Sequence, residues 1–485
     1  VTELVDALAR RPRLRALAAA TAAVAAGLFL NAGLRAPSPG DPATGVGAVP
    51  VVAAWSARRV PVNLADAVGD LRLPREVDRA FRGSASCFVF EAGGQAVLAH
   101  EPGRALIPAS TQKVFTAAAA VSVLGADHRF RTEVVGSPPV GGVVERLWIV
   151  GGGDPVLATP EFVDVLRADP RTEDHAVTPL AGLADALVEA GVREVPGGLG
   201  ADASRHSGAP TVPTWKPDYI GRFDITYLSA LTVNRGFARF TPVKETAPDP
   251  AALAASELAR LLRGRGVVVG EAVVRGTAPG DASVLARVDA PPVGEVVETL
   301  LRESDNLVAE LLVREVDVAR GGSGTTPGGL REVVRELRRL GVQMDGVSLA
   351  DGSGLDRGNR ATCPALHDTL ALRSRPGFDA LDDGLAVAGT SGTLTRRMTG
   401  PDLVGRLRAK TGSLNDVVGL VGVFERRPPL TFAMIANGAF GSAEGAGIQD
   451  DIGEVLAEYP FTFGDPSVLG PPPARPGQAP TELHR

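Results

Sequence analysis

The stretch Arg104-Ala-Leu-Ile-Pro-Ala-Ser-Thr-Gln-Lys-Val-Phe-Thr-Ala-Ala-Ala-Ala120 organises the reading of this chain. An apolar approach ends in Pro108, which disfavours helix on its N-terminal side, and an alanine-rich run of strong helix propensity follows. Ser110 therefore falls at or just inside a helix start, with Lys113 three residues on and rising from the same face. Unpaired N–H groups and the helix dipole favour negative charge developing near that hydroxyl. An amine held beside it, in a pocket that lowers its pKa, can take the hydroxyl proton. Taken alone, the same pattern describes a capping serine with a solvated lysine one turn later.

Lysine usage shifts the balance. Lysine occurs only at Lys113, Lys216, Lys244 and Lys410, and every other basic side chain is arginine. Arginine stays protonated and cannot replace lysine as a proton acceptor. A bias toward arginine leaves lysine mainly where its chemistry differs, and two of the four lie in motifs of serine-hydrolase type.

With 485 residues the chain has room for two or three domains. A net charge of -6 without a basic patch argues against nucleic-acid binding. The histidines, His100, His128, His175, His206, His367 and His484, lack metal-ligand spacing, so neither metal nor cofactor is expected. Gly151-Gly-Gly-Asp-Pro155 lacks the lysine and hydroxyl of a phosphate-binding loop and reads as structural. Cys87 and Cys363 are the only cysteines, either a disulfide of an exported protein or two buried thiols.

At the N-terminus, Arg10, Arg11, Arg13 and Arg15 precede the apolar run 16–30, the layout of a signal peptide or a retained membrane anchor over 1–32. The protein is accordingly expected to be exported, to the cell wall or the outer face of the cytoplasmic membrane, touching membrane only through that segment. Residues 33–50, rich in Pro and Gly, read as a linker, and the proline-rich 466–485 as a disordered tail. Between them, 51–121 and 286–465 read as two parts of one domain, with 122–285 as small domains of mixed structure inserted between. Cys87–Ala92 and Gln95–His100 flank Gly93-Gly94 as a hairpin leading into the Ser110 helix. Near the other end, Leu403–Ala409 is expected to be a strand ending at Lys410, with Val417–Phe424 and Leu430–Ala436 as its neighbours.

Two further clusters carry chemistry. Ser304 and Asn306, within Glu303-Ser-Asp-Asn306, sit at a helix boundary that aims both polar groups into one cleft if the helix is interrupted. Lys410-Thr411-Gly412-Ser413, at the expected strand end, offers an amine, hydroxyls and backbone N–H groups to a substrate carboxylate and carbonyl. Ser-x-x-Lys at a helix start, Ser-Asp-Asn before a helix and Lys-Thr-Gly on a strand, in that order, form the signature of penicillin-interacting serine enzymes.

The chain resembles the class C low-molecular-mass penicillin-binding proteins, the D-alanyl-D-alanine carboxypeptidase/endopeptidases of the penicillin-binding protein 4 type. The gap of about 190 residues between Lys113 and Ser304 fits that group, as do Gly151–Pro155, Ser229–Arg235, Asp351-Gly-Ser-Gly-Leu355 and Gly389-Thr-Ser-Gly-Thr393. Asp356 stands where the family often has serine. The resemblance implies an α+β fold: a beta-lactamase/transpeptidase-like domain with a five-stranded antiparallel sheet and flanking helices, carrying inserted small domains.

It also implies roles. Ser110 would be acylated and Lys113 would be its base. Ser304 would relay protons to the leaving amine, Asn306 would hold the substrate amide, and Lys410 would steer the terminal carboxylate and support Ser304. Thr411 and Ser413, flanking Gly412, would bind that carboxylate, and the N–H groups of Ser110 and Ser413 would form the oxyanion hole. The partners implied are peptidoglycan stem peptides as substrate and beta-lactam antibiotics as acylating inhibitors. A serine beta-lactamase would use the same acylating groups, but no glutamate stands in a recognisable deacylating motif. A non-catalytic cell-wall-binding scaffold would not need Lys113, Ser304 and Lys410 intact.

Overall fold

The computed structural model describes residues 72–460, so the expectations for 1–32, 33–50 and 466–485 lie outside the described residues. Along the chain the main strands are β1 (Ala85–Ala92), β2 (Gln95–His100), β3 (Arg129–Gly136), β4 (Leu147–Val150), β5 (Leu199–Asp202), β6 (Val273–Arg275), β7 (Ser283–Pro292), β8 (Ala386–Val387), β9 (Leu407–Leu414), β10 (Val417–Phe424) and β11 (Leu430–Asn437). The main helices are α1 (Lys113–Leu124), α2 (Ala181–Glu189), α3 (Pro250–Arg263), α4 (Val293–Glu303), α5 (Asn306–Ala319), α6 (Thr326–Arg339), α7 (Cys363–Ala371) and α8 (Ser442–Glu458).

Segments from both ends of the described chain build one antiparallel sheet in the order β8-β9-β10-β11-β1-β2. β1 pairs along its whole length with β11, from Ala85 opposite Asn437 to Ala92 opposite Leu430. β10, Val-Val-Gly-Leu-Val-Gly-Val-Phe, is buried at every position. Its alternation explains how, because successive side chains point to opposite faces. Val421 and Val423 join the core under α1, α4, α5 and α7, while Val418, Leu420 and Phe424 join a second core with α8 and the helix at 72–81. The sheet is thus covered by helices on both sides.

The alanines of α1 serve this packing. Ala117 to Ala120 are all fully buried, and their small side chains let neighbouring helices close in around α1. Short polar caps start the surrounding helices: Asp305 accepts from Val308 N, Thr325 from Gly328 N and Thr362 from Ala365 N.

Between α1 and α4 the chain builds a second sheet, in the order β6-β5-β4-β3-β7. β4, β5 and β6 are parallel, and β3 joins them antiparallel. α2 and α3 cover one face through Leu183, Leu187, Leu258 and Leu262. β7 spans position 285, where the sequence suggested a border. Gly151 to Gly153 leave no room for side chains: a Cβ on Gly152 would lie 1.7 Å from the Arg131 carbonyl oxygen.

Two expectations need correction. Among the described residues the main sheet has six strands, not five, because Ala386 and Val387 pair with Ala409 and Arg408 at the edge. Two residues carry no readable alternation, so this strand left no trace in the sequence pattern. The Lys410 motif does not sit at a strand end. Leu403 and Val404 turn back onto the Gly400 carbonyl, so the strand starts at Leu407 and runs through the motif to Leu414.

Cys87 on β1 and Cys363 at the start of α7 are joined in a disulfide, with Cα atoms 5.9 Å apart and 276 residues between them. Both are fully buried, and α7 packs over β1 and β11. Closing so long a loop in the unfolded chain is worth about 5 kcal/mol on the chain-entropy model, less any strain. Intact-mass measurement after alkylation without reduction should show no label, and reduction should lower the melting temperature. Two alkylated thiols in the native protein would rule the bond out.

Candidate active site

Ser110 lies in a single 3-10 turn, Ala109–Gln112, which runs straight into α1 at Lys113. The residue before the serine, Ala109, is held at φ 47, a left-handed conformation uncommon outside glycine. Tertiary contacts impose it. The turn rests on β9 and β10, and on the Asp351–Leu355 segment from the other side. A Cβ on Gly412 would approach the Pro108 oxygen to 2.8 Å and the Thr111 nitrogen to 2.9 Å, and one on Gly354, itself at φ 85, would lie 2.0 Å from the Ala109 oxygen. Only glycine lets backbone come this close to the nucleophile on both sides.

The serine is half-buried and Lys113 is fully buried. Lys113 Nζ lies 2.8 Å from Ser110 Oγ, 2.6 Å from Asn306 Oδ1 and 2.6 Å from the Ser353 carbonyl oxygen. Burial lowers the pKa of this amine to about 8, against the opposing pull of Asp351, Glu310 and Asp305. A neutral amine has two N–H bonds and one lone pair. With Asn306 and Ser353 taking the two hydrogens, the lone pair faces the serine hydroxyl, the geometry a base needs.

Ser304 and Asn306 come from an interrupted helix. Ser304 ends α4 in a left-handed conformation, φ 62, and Asp305 then caps α5, whose first residue is Asn306. Asn306 Nδ2 donates to the Asp224 carbonyl at 2.6 Å, which leaves its second N–H for another acceptor. Neither Lys113 nor Lys410 is hydrogen-bonded to the Ser304 hydroxyl. The relay from Lys410 to Ser304 expected from the resemblance is therefore not made in this structure.

Lys410 is fully buried in mid-strand, and its Nζ donates to the Thr411 carbonyl at 2.7 Å. Burial and the nearby Lys113 amine push its pKa well below the ordinary lysine value, while Glu303 opposes them. Thr411 Oγ1 donates to Thr393 Oγ1 at 2.8 Å, within the 389–393 turn, and Ser413 is exposed. Since β8 covers only Arg408 and Ala409, residues 410–414 keep an open outer edge on which an extended peptide can align.

Sequence reasoning did not find the residues that hold this arrangement. Asp351 accepts from Gly354 N at 2.8 Å, Asp356 N at 2.8 Å, Asn359 Nδ2 at 2.8 Å and Trp215 Nε1 at 2.9 Å. Glu310 Oε1 accepts from Gly352 N at 2.9 Å and Ser353 N at 2.7 Å. The one available signal was the Asp351-Gly-Ser-Gly-Leu355 run, which counted toward the family resemblance without a role for Asp351, and Glu310 carried none.

The chain is similar throughout these elements to known proteins. The family described as D-Ala-D-Ala carboxypeptidase 3 (S13) matches residues 77–248 and 237–459. A D-alanyl-D-alanine carboxypeptidase of Actinomadura sp. (strain R39) is 32% identical, over 86% of this chain and 88% of its own length. A carboxypeptidase of Mycobacterium tuberculosis is 34% identical, over 84% of this chain and 87% of its own. Among solved structures, penicillin binding protein 4 from Haemophilus influenzae shares the fold, with a TM-score of 0.66 at 20% identity, covering 79% of this chain and 99% of that one. With its motifs folded into one cleft and its relatives matched over most of their length, the chain belongs to the D-Ala-D-Ala carboxypeptidase 3 (S13) family.

Proposed function

We propose that this protein is a serine-type D-Ala-D-Ala carboxypeptidase acting on peptidoglycan stem peptides through an acyl-enzyme on Ser110, and that beta-lactams acylate the same serine. The observation that carries the assignment of residues is the 2.8 Å contact between Ser110 Oγ and a fully buried amine on the same helical face. The penultimate D-Ala carbonyl is attacked by Ser110 Oγ as Lys113 takes the hydroxyl proton. The C–N bond then breaks, and the proton goes to the departing D-alanine amine, by way of Ser304 once substrate completes that path. Water then attacks the ester carbonyl and gives a proton to Lys113; the C–O bond to Ser110 breaks, the proton returns to Oγ, and the shortened peptide leaves as its acid.

The substrate's terminal carboxylate faces Lys410, Thr411 and Ser413, and Asn306 uses its free N–H on a backbone carbonyl of the stem peptide. The backbone N–H groups of Ser110 and Ser413 supply the oxyanion hole. Cleavage of cross-links is the same reaction with a longer leaving amine. Such a substrate places the enzyme outside the cytoplasm, which agrees with the arginine-flanked apolar run at 16–30.

Ser110→Ala should abolish covalent labelling by a fluorescent penicillin while leaving the melting curve intact; undiminished labelling would refute the assignment. Lys113→Arg keeps the charge but has no accessible neutral state, so acylation should fall at least ~100-fold. The wild-type acylation rate constant should rise roughly tenfold per pH unit below the Lys113 pKa of about 8 and level off above it, because only the neutral amine accepts the proton. A rate independent of pH from 6 to 9, in labelling followed by stopped flow, would contradict a base of this pKa.

A further inference from the structure

Glu310 is fully buried on α5, one helical turn after Asn306, and hydrogen-bonds to neither Ser110 nor Lys113. Its Oε1 accepts two backbone N–H groups, those of Gly352 and Ser353, the Ser353 side chain also bears on the carboxyl, and among the described residues its Oε2 has no hydrogen-bond partner. The Ser353 carbonyl is in turn one of the three contacts of Lys113 Nζ, and one of the two that accept its hydrogens. Two of those three contacts therefore trace back to one face of α5, Asn306 directly and Ser353 through Glu310.

The structure assigns to Glu310 the part of a positioning residue for the Lys113 amine: by gripping the 352–353 backbone it aims the Ser353 carbonyl, so that the lone pair of the neutral amine faces Ser110. This inference rests on the proposed role of Lys113 as base. If the turn is released, one hydrogen of the amine loses its acceptor, and the group can rotate until a hydrogen, not the lone pair, meets the serine. Misplacement of a reacting group by about 1 Å costs on the order of 100-fold in rate.

The grip does not depend on charge. An ionised carboxylate with one bare oxygen in a dry site is expensive, and burial followed by the nearby Asp351 charge pushes Glu310 up to about 8. The groups facing it are Asp351, Lys113 and, one turn further along α5, Arg314, whose Nη1 also lacks a protein partner. With that pKa Glu310 is largely protonated at neutral pH, where it acts as a neutral acceptor, and it gains charge above about pH 8, where it pulls the Lys113 pKa up. A glutamine amide should then replace it, and an aspartate, one methylene shorter, should not.

The test compares Glu310→Gln, Glu310→Asp and Lys113→Arg in the full chain, measuring melting temperature, penicillin acylation from pH 6 to 9.5, and kcat and KM for a D-Ala-D-Ala peptide. Glu310→Gln should acylate within about threefold of wild type, with its pH inflection at or below the wild-type position, because it lacks the charge that raises the Lys113 pKa. Folded Glu310→Asp should lose at least ~10-fold in kcat and acylation while KM holds, a split that general destabilisation does not produce. Wild-type acylation by folded Glu310→Asp overturns the inference, as does a folded Glu310→Gln that is inactive. Should Glu310→Asp fail to fold, the glutamine variant still decides on that criterion. Failure of the base assignment looks different: Lys113→Arg would then acylate at the wild-type rate.

Discussion

An amine has to be neutral to accept a proton, and burial brings that state within reach near neutral pH by lowering the Lys113 pKa to about 8. Lys113 is closed off from solvent, and loss of hydration is the largest influence on its pKa. An amine so placed needs partners for its hydrogens, and they come from segments 193 and 240 residues further along the chain. The rest of the architecture follows from that demand. α5 must start beside α1 to present Asn306, the 351–354 turn must reach over both to present a carbonyl, and β9 and β10 must support the nucleophile turn from beneath.

The segment between α1 and α4 shares in this support. Arg171 reaches Glu303 at 3.1 Å and Arg235 reaches Asp305 at 3.2 Å, so both neighbours of Ser304 are held from that segment. The Asp224 carbonyl fixes Asn306, and Trp215 anchors Asp351. Lower on α5, Glu315 receives Arg205 and His206. Burial pushes the Glu315 carboxyl up, but these bonds outweigh it and hold the group below the usual carboxylate range. Ser304 is held in a left-handed conformation that costs about 1 to 3 kcal/mol in an unsupported chain, and the clamps on either side show what maintains it. The second sheet therefore carries a segment whose polar groups set the geometry of the cleft.

Much of this was legible because the chemistry requires particular residue types at fixed local spacing. Ser110 with Lys113, Ser304 with Asn306, and Lys410 through Ser413 each lie within a few residues, and the interrupted helix around Ser304 could be read from its polar break. The hairpin and the two strands after Lys410 alternate or run apolar in recognisable ways. What escaped was set by distance. Glu310 reads as one more charge on an amphipathic helix, and Asp351 as a turn former, until folding brings them together 41 positions apart in the chain. The left-handed backbone at Ala109 and Ser304 could not be read either, since neither residue type favours it.

The two buried lysines complete the electrostatic argument. They lie close enough that Lys113 is the second-largest influence on the Lys410 pKa, after burial, so protonation of either amine disfavours protonation of the other. In the free protein this coupling, added to burial, drives Lys410 toward its neutral form, and its Nζ rests on the Thr411 carbonyl. A carboxylate brought against Lys410 reverses that preference by stabilising the ammonium ion. In the roles proposed, the terminal carboxylate of a stem peptide and the ammonium ion it stabilises form a nearly neutral pair, so recognition of the C-terminus adds little net charge beside the base. The Lys113 pKa then stays set by its own burial, and the free carboxylate selects the substrate without changing the protonation state that attack on it requires.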